Sequence, residues 1–148
     1  MTHSIINLFA GPGGREEGLK MVGVSDVLGI ENDRTTCDTA EAAGHARLCA
    51  DVAALNPLDV ADYNTIQGNS ASPICRGFSI MGNRRGRLDS ALLIKAVGEL
   101  AVGRDPRADL KSQMHDSRSI LSLEPLRWAI DLYPDWLAWE QVPAVLPL

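Results

Sequence analysis

Cysteine is scarce in this chain. Three residues among 148, Cys37, Cys49 and Cys75, are too few and too scattered for a disulfide framework or a zinc site, so a reducing cytoplasm is the expected compartment. No apolar run approaches the ~18–20 residues of a bilayer span. Met1-Thr2-His3-Ser4 lacks the basic flank and apolar stretch of a signal peptide, and no membrane association is expected. A basic excess is missing as well: 14 Lys and Arg stand against 19 Asp and Glu, a formal charge of −5. Bulk charge therefore cannot hold nucleic acid, and any DNA contact must come from a local basic patch. His3, His45 and His115 have no ligand spacing, so they read as surface residues and no metal is expected. Repeats and low-complexity tracts are absent.

What is present is ordinary globular material, 45% hydrophobic and 22% charged, in a length that fits one domain over residues 1–148. Ile5 to Phe9 reads as a buried strand, and Ala10-Gly11-Pro12-Gly13-Gly14 as a tight turn. A helix is expected over Arg15 to Val22, with Leu19 and Val22 on one face. Val27 to Ile30 is a second strand ended by Glu31. Arg34 to Ala43 is a second helix closed by Gly44, and Arg47 to Ala50 a third strand ended by Asp51. Strand and helix alternating at this spacing predict an α/β fold: a doubly wound, mostly parallel sheet with helices on both faces and the first strand central.

Further along, Asn56 to Asn64 reads as a loop. Thr65 to Ser70 is the fourth strand, unusually polar through Gln67, Asn69 and Ser70. Gly82 to Gly86 is a basic loop. Asp89 to Ala101 fits a helix with Leu92, Leu93, Ala96, Val97 and Leu100 on its apolar face. Val102 to Ser117 reads as a loop and Ile120 to Leu132 as a helix with Pro125 near its first turn. Trp136 to Trp139 is the fifth strand, ended by Glu140.

A strand, a glycine turn and a helix bring a nucleotide close to backbone. The turn is not Gly-x-Gly-x-x-Gly, so the dinucleotide fingerprint is not met. Glu31 can accept from ribose hydroxyls and Asp51 from an adenine amino group, which points to an adenosine-bearing ligand without a pyrophosphate. The competing reading is a packing turn with two solvated acids. Cys75 follows the fourth strand, at the carboxyl edge where such sheets bind ligands, and the neighbouring Arg76, Arg84, Arg85 and Arg87 favour thiolate and bind phosphate. Glu140 ends the fifth strand at the same edge. Cys37, within a helix, and Cys49, within a strand, read as inert apolar residues.

Taken in order, Asn7-Leu8-Phe9-Ala10-Gly11-Pro12-Gly13-Gly14, Glu31, Asp51, Ser72-Pro73-Ile74-Cys75-Arg76-Gly77-Phe78-Ser79 and Glu140-Gln141-Val142 resemble the DNA (cytosine-5) methyltransferases. The resemblance implies a Rossmann-like methyltransferase fold and S-adenosyl-L-methionine as cofactor. It implies that Phe9, Ala10, Gly11, Gly13, Gly14, Glu31, Asn32, Asp51, Val52 and Pro73 line the cofactor site. Cys75 would be the nucleophile toward carbon 6 of a flipped-out cytosine and Glu140 its acidic partner. Double-stranded DNA would be held by Arg76, Arg84, Arg85 and Arg87. Three departures stand out: Asn7 where the family usually has Asp, Ile74 where it has a second proline, and Arg76 where it has Gln. The resemblance also implies a later Arg motif, a target-recognition domain and a C-terminal helix, none of which occurs in these 148 residues. A complementing C-terminal methyltransferase subunit is the partner this implies. The alternative is a catalytically inactive fragment, or half of a split enzyme, that retains only ligand or partner binding.

Overall fold

The computed structural model of the chain describes residues 3–75, 78 and 85–145. Five parallel strands, β1 (Ile5–Leu8), β2 (Val27–Glu31), β3 (Ala46–Cys49), β4 (Gly68–Ala71) and β5 (Trp136–Trp139), form one sheet in the order β3-β2-β1-β4-β5. The first strand is central. Chain direction across the sheet reverses between β1 and β4. Right-handed crossovers then place α1 (Gly14–Met21) and α2 (Arg34–Ala42) on one face and the later helices on the other. Such a reversal opens a crevice at the carboxyl ends of the strands.

Alternation along β1 divides the two faces. Ile6 and Leu8 join Ile30, Ala71, Trp128 and Leu132 in the main core, under α5 (Glu124–Leu132). Asn7 points the other way and is 1% exposed, donating from Nδ2 to Glu16 Oε1 at 3.2 Å. Glu16 lies on α1, and Arg47 Nη1 from β3 donates to the same oxygen at 2.7 Å. The pair crosses the sheet over Gly29, where any Cβ would collide with the Arg47 guanidinium. A carboxylate at position 7 would face Glu16 in a site closed to water, which accounts for Asn at this position. Across β4, Ser70 Oγ donates to Asn7 Oδ1 at 2.8 Å, so one polar residue of the fourth strand is accounted for. Asn69 is wholly buried, and neither its amide nitrogen nor its oxygen has a hydrogen-bond partner among the described residues.

Several expectations are corrected. The stretch Val102 to Ser117 is not a loop throughout: α4 (Arg107–Lys111) forms within it, and a 3-10 helix runs Ser117–Leu123. Leu110 anchors α4 in a second apolar cluster with Phe78, Leu93, Ala96, Leu100, Ile120 and Leu123, packed on α3 (Ser90–Ala101). The helix expected from Ile120 begins at Glu124, with Pro125 in its first turn. Within the expected loop Asn56 to Asn64, Pro57–Asp59 is a 3-10 turn capped by the Asn56 side chain. Val97 and Val22 are exposed rather than core-facing, because α3 buries only a narrow stripe and Val22 lies past the end of α1. His45 is buried, not at the surface. Among the described residues no helix is long and apolar enough to cross a membrane.

Asn7→Asp is expected to destabilise the fold by about 1–3 kcal/mol at neutral pH, the cost of turning the donor that faces Glu16 into a buried acceptor. Glu16→Gln in the same chain should restore much of that loss. Denaturant titration of the two single variants and the double tests the coupling, and simple additivity would contradict it.

Candidate functional site

At the carboxyl edge, the chain leaves β1 through Phe9, which adopts a left-handed φ of 56°. That strained backbone sits at the mouth of the crevice. The glycine turn follows, and Gly13 caps α1 at φ 110°. Its backbone lies against the His45 ring, where a Cβ would come within 2.5 Å of Cδ2. This contact is why His45 is buried, and it demands glycine twice, for conformation and for space.

Glu31 is fixed before any ligand arrives. Its Oε1 accepts from the backbone N–H of Asn32 at 2.9 Å and Asp33 at 3.0 Å, and its Oε2 from Gly11 N–H at 3.1 Å. A carboxylate has about four acceptor positions, so Oε2 keeps one for a hydroxyl donor. Cys37 lies beneath and donates from Sγ to the Glu31 carbonyl at 3.3 Å. Burial, aided by Cys49 beside it, pushes the Cys37 thiol up to about 12, in keeping with an inert residue. Asp51 Oδ1 accepts from Ala53 N–H at 2.9 Å, which leaves Oδ2 open.

These groups border a cavity of about 580 Å³, lined by Phe9, Glu31, Asn32, Asp51 and Val52 on one side and by Ile120, Leu121 and Arg107 on the other. Ser72 and Ile74 of the turn before Cys75 also line it. Fixed acceptors flanked by apolar walls suit a nucleoside, and the volume suits a small cofactor. Ala10, Gly11, Gly13 and Gly14 stand in the adjoining turn and do not line the cavity; Pro73 is buried and does not line it either.

Cys75 is partly exposed, and its carbonyl accepts from Phe78 N–H at 2.9 Å. Glu140 is exposed, and its N–H donates to the Ala71 carbonyl at 2.9 Å. The next residue, Gln141, donates from Nε2 to the Pro73 carbonyl at 3.1 Å. The turns bearing Cys75 and Glu140 are thus neighbours at one edge, although neither residue lines the large cavity. Arg76 and Arg84 lie outside the described residues. Arg85 and Arg87 fall on the 3-10 helix Arg85–Asp89. Among the described residues no cluster of three or more His, Cys, Asp or Glu could hold a metal ion.

One set of residues escaped the sequence reading. Glu124 is wholly buried between two arginines: Arg107 Nη1 donates to Oε1 at 2.5 Å and Arg127 Nε to Oε2 at 2.8 Å. The same guanidinium groups donate to the carbonyls of Ala53, Val52 and Leu55. They thereby hold the loop that carries Asp51 and Val52. Asp105 accepts from Arg107, and that hydrogen bond holds its carboxyl below the usual carboxylate range. The only sequence signal was an (i, i+3) Glu–Arg pair on α5, which is common on solvated helices.

A central first strand, a glycine turn, two strand-end acids and a cysteine turn at one switch point define a Rossmann-like methyltransferase fold. The family model for the C-5 cytosine-specific DNA methylases matches residues 3–100, and the chain belongs to that family. S-adenosyl-L-methionine is the methyl donor that goes with the family. The Type II methyltransferase M.DdeI of Desulfomicrobium norvegicum is 36% identical over 84 residues, 55% of this chain and 20% of that protein. A candidate DNA modification methyltransferase from an E. coli prophage superposes at a TM-score of 0.61 and 22% identity, over 96% of this chain and 32% of the other. Dnmt2 methyltransferase of S. pombe does so at 0.57 and 14% identity, over 99% and 38%. Both structures establish the fold. The match therefore spans about a fifth of the M.DdeI length, about a third of the prophage methyltransferase and about two fifths of the S. pombe protein.

Gly13→Ala is expected to cost about 1–3 kcal/mol, because a side chain there meets both strain and the His45 ring. Gly11→Ala, also at positive φ but facing open space, should cost less, about 1 kcal/mol. Thermal unfolding of the two variants reads the difference, and equal losses would remove His45 from the explanation.

Proposed function

We propose that this chain carries the cofactor site and the nucleophile of a DNA (cytosine-5) methyltransferase, acting on double-stranded DNA. The observation that carries the reading is the shared cavity: Glu31 and Asp51 on one wall, Ser72 and Ile74 of the cysteine turn on another. Glu31 would hold a ribose hydroxyl through the free position on Oε2, Asp51 would accept from the adenine amino group, and Phe9, Val52, Ile120 and Leu121 would pack the base. The cofactor supplies an electrophilic methyl group.

Cys75 acts as a thiolate. It adds to carbon 6 of a cytosine turned out of the duplex, forming a C–S bond and placing electron density on carbon 5. Glu140, on the neighbouring turn, hydrogen-bonds ring nitrogen 3 and stabilises the charge that develops there. Once carbon 5 is methylated, its proton passes to water, the electron pair left behind restores the double bond between carbons 5 and 6, and the C–S bond breaks, returning Cys75 as a thiolate. Arg76, Arg84, Arg85 and Arg87 contact backbone phosphates.

The partner is a further methyltransferase segment homologous to the part of the longer relatives that lies beyond this match. β5 supports it. Among the described residues nothing pairs with its outer edge, and Trp136, Leu137 and Trp139 are 40%, 40% and 45% exposed. Interior strands of parallel sheets are apolar on both faces because both are covered. The likeness to M.DdeI also supports a restriction–modification setting.

Two measurements test the proposal. Calorimetry should detect weak binding of S-adenosylmethionine, and Glu31→Ala should abolish it, since losing a hydrogen bond to a charged group costs about 1.5–3 kcal/mol. Unchanged affinity would remove Glu31 from the site. With the C-terminal part of a longer family member added, the chain should form a covalent adduct on duplex DNA containing 5-fluorocytosine. An adduct that survives Cys75→Ser would refute the nucleophile.

A further inference from the structure

We propose that Arg15 is a positioning residue that fastens the Ser72–Cys75 turn to the glycine-turn helix, so that the thiol is set relative to the cofactor site; the inference rests on the function proposed above. Arg15 is the second residue of α1. Its Nη1 donates to Asn7 Oδ1 at 3.2 Å and Ser70 Oγ at 3.1 Å, and its Nη2 donates to Ser72 Oγ. One planar group thus spans β1, β4 and the root of the cysteine turn, a geometry that a lysine ammonium could not reproduce.

All three acceptors are neutral oxygens, and among the described residues Arg15 makes no ion pair. Its contribution is therefore geometric rather than charge-neutralising. Two backbone bonds flank the turn, Ser72 N–H to the Leu8 carbonyl at 3.3 Å and Phe78 N–H to the Cys75 carbonyl at 2.9 Å, and neither engages Pro73 or Ile74 between them. Proline would fix φ near −65° one residue before the thiol, but Ile74 imposes no such limit. Two side chains hold the turn instead: Arg15 at Ser72 Oγ, and Gln141 at the Pro73 carbonyl.

The test is the rate at which iodoacetamide alkylates Cys75, followed by peptide mass spectrometry with Cys49 in the same molecule as reference. Arg15→Met and Ser72→Ala should each raise the Cys75-to-Cys49 ratio about tenfold, the factor for releasing the one charge-assisted hydrogen bond that reaches Ser72 and that both variants remove. Arg15→Lys should fall between, and the double variant should be no faster than the faster single one. Ser72→Ala leaves the Arg15 charge in place, so agreement between the two variants separates anchoring from electrostatics. An unchanged ratio overturns the proposal, including one in which both thiols speed up together. If Arg15→Met fails to fold, Ser72→Ala carries the test, because it deletes one hydroxyl and leaves the charge. No cofactor is needed. Failure of the parent chain to bind S-adenosylhomocysteine by calorimetry would sink the proposed function and leave the alkylation result standing.

Discussion

The carboxylate of Glu16 has no route to water, being 3% exposed, and its partner Arg47 has a side chain that is wholly buried. A buried pair of this kind is strongly destabilising to break, because either survivor is left charged in a medium that does not solvate it. Its geometry reaches outward from there. Glu16 sits in the first turn of α1, so pairing with Arg47 seats that helix over β1, β2 and β3. Seating the helix sets the glycine turn before it. Gly29 must lack a side chain because the pair crosses above it, and residue 7 must be neutral because its Nδ2 faces the same carboxylate oxygen.

A second buried carboxylate performs a matching task on the opposite face. Glu124 is held by Arg107 and Arg127, and those arginines also donate to the backbone carbonyls of Val52, Ala53 and Leu55 after Asp51. The loop has no regular structure of its own over Val52 to Leu55, so these bonds replace the ladder that a strand would have supplied. A third, Asp89, accepts from His115 N–H, Asp116 N–H and Ser119 Oγ. Burial works to raise its pKa, yet those bonds prevail and hold it below the usual carboxylate range. It ties the start of α3 to the segment leading into the cavity wall. The crevice lies between these networks, where the strand order reverses.

Family membership and fold agree with this arrangement. The match to the C-5 cytosine-specific DNA methylases covers the glycine turn, both strand-end acids and the cysteine turn, and the two solved structures extend the likeness through β5. The sheet meets its surroundings differently at its two sides. Among the described residues both β3 and β5 are edge strands; β3 is packed by α2, and β5, packed by α5, leaves Trp136, Leu137 and Trp139 partly exposed.

Much of the fold was readable because its signals are local. Short apolar runs, Gly11 to Gly14, and acids directly after strands each depend on a few neighbouring residues, and their order implies a parallel sheet with β1 in the middle. Glu31 and Asp51 could be picked out because a strand end places its next residue at the crevice. Other features carried no local signal. Arg107 to Lys111 is five residues, three of them charged, with Ala108 and Leu110 between, and only Leu110 inserting between α3 and the 3-10 helix makes it a helix. Glu124, Arg127 and Arg15 look like solvated surface in the sequence, since charge is usually exposed. His45 looks the same until Gly13 closes over it. Sequence alone determined where the chain turns and which residues stand at the strand ends, because those follow from backbone preference and alternation. Only the tertiary structure decided which charges are buried and what they hold, because that depends on partners tens of residues away.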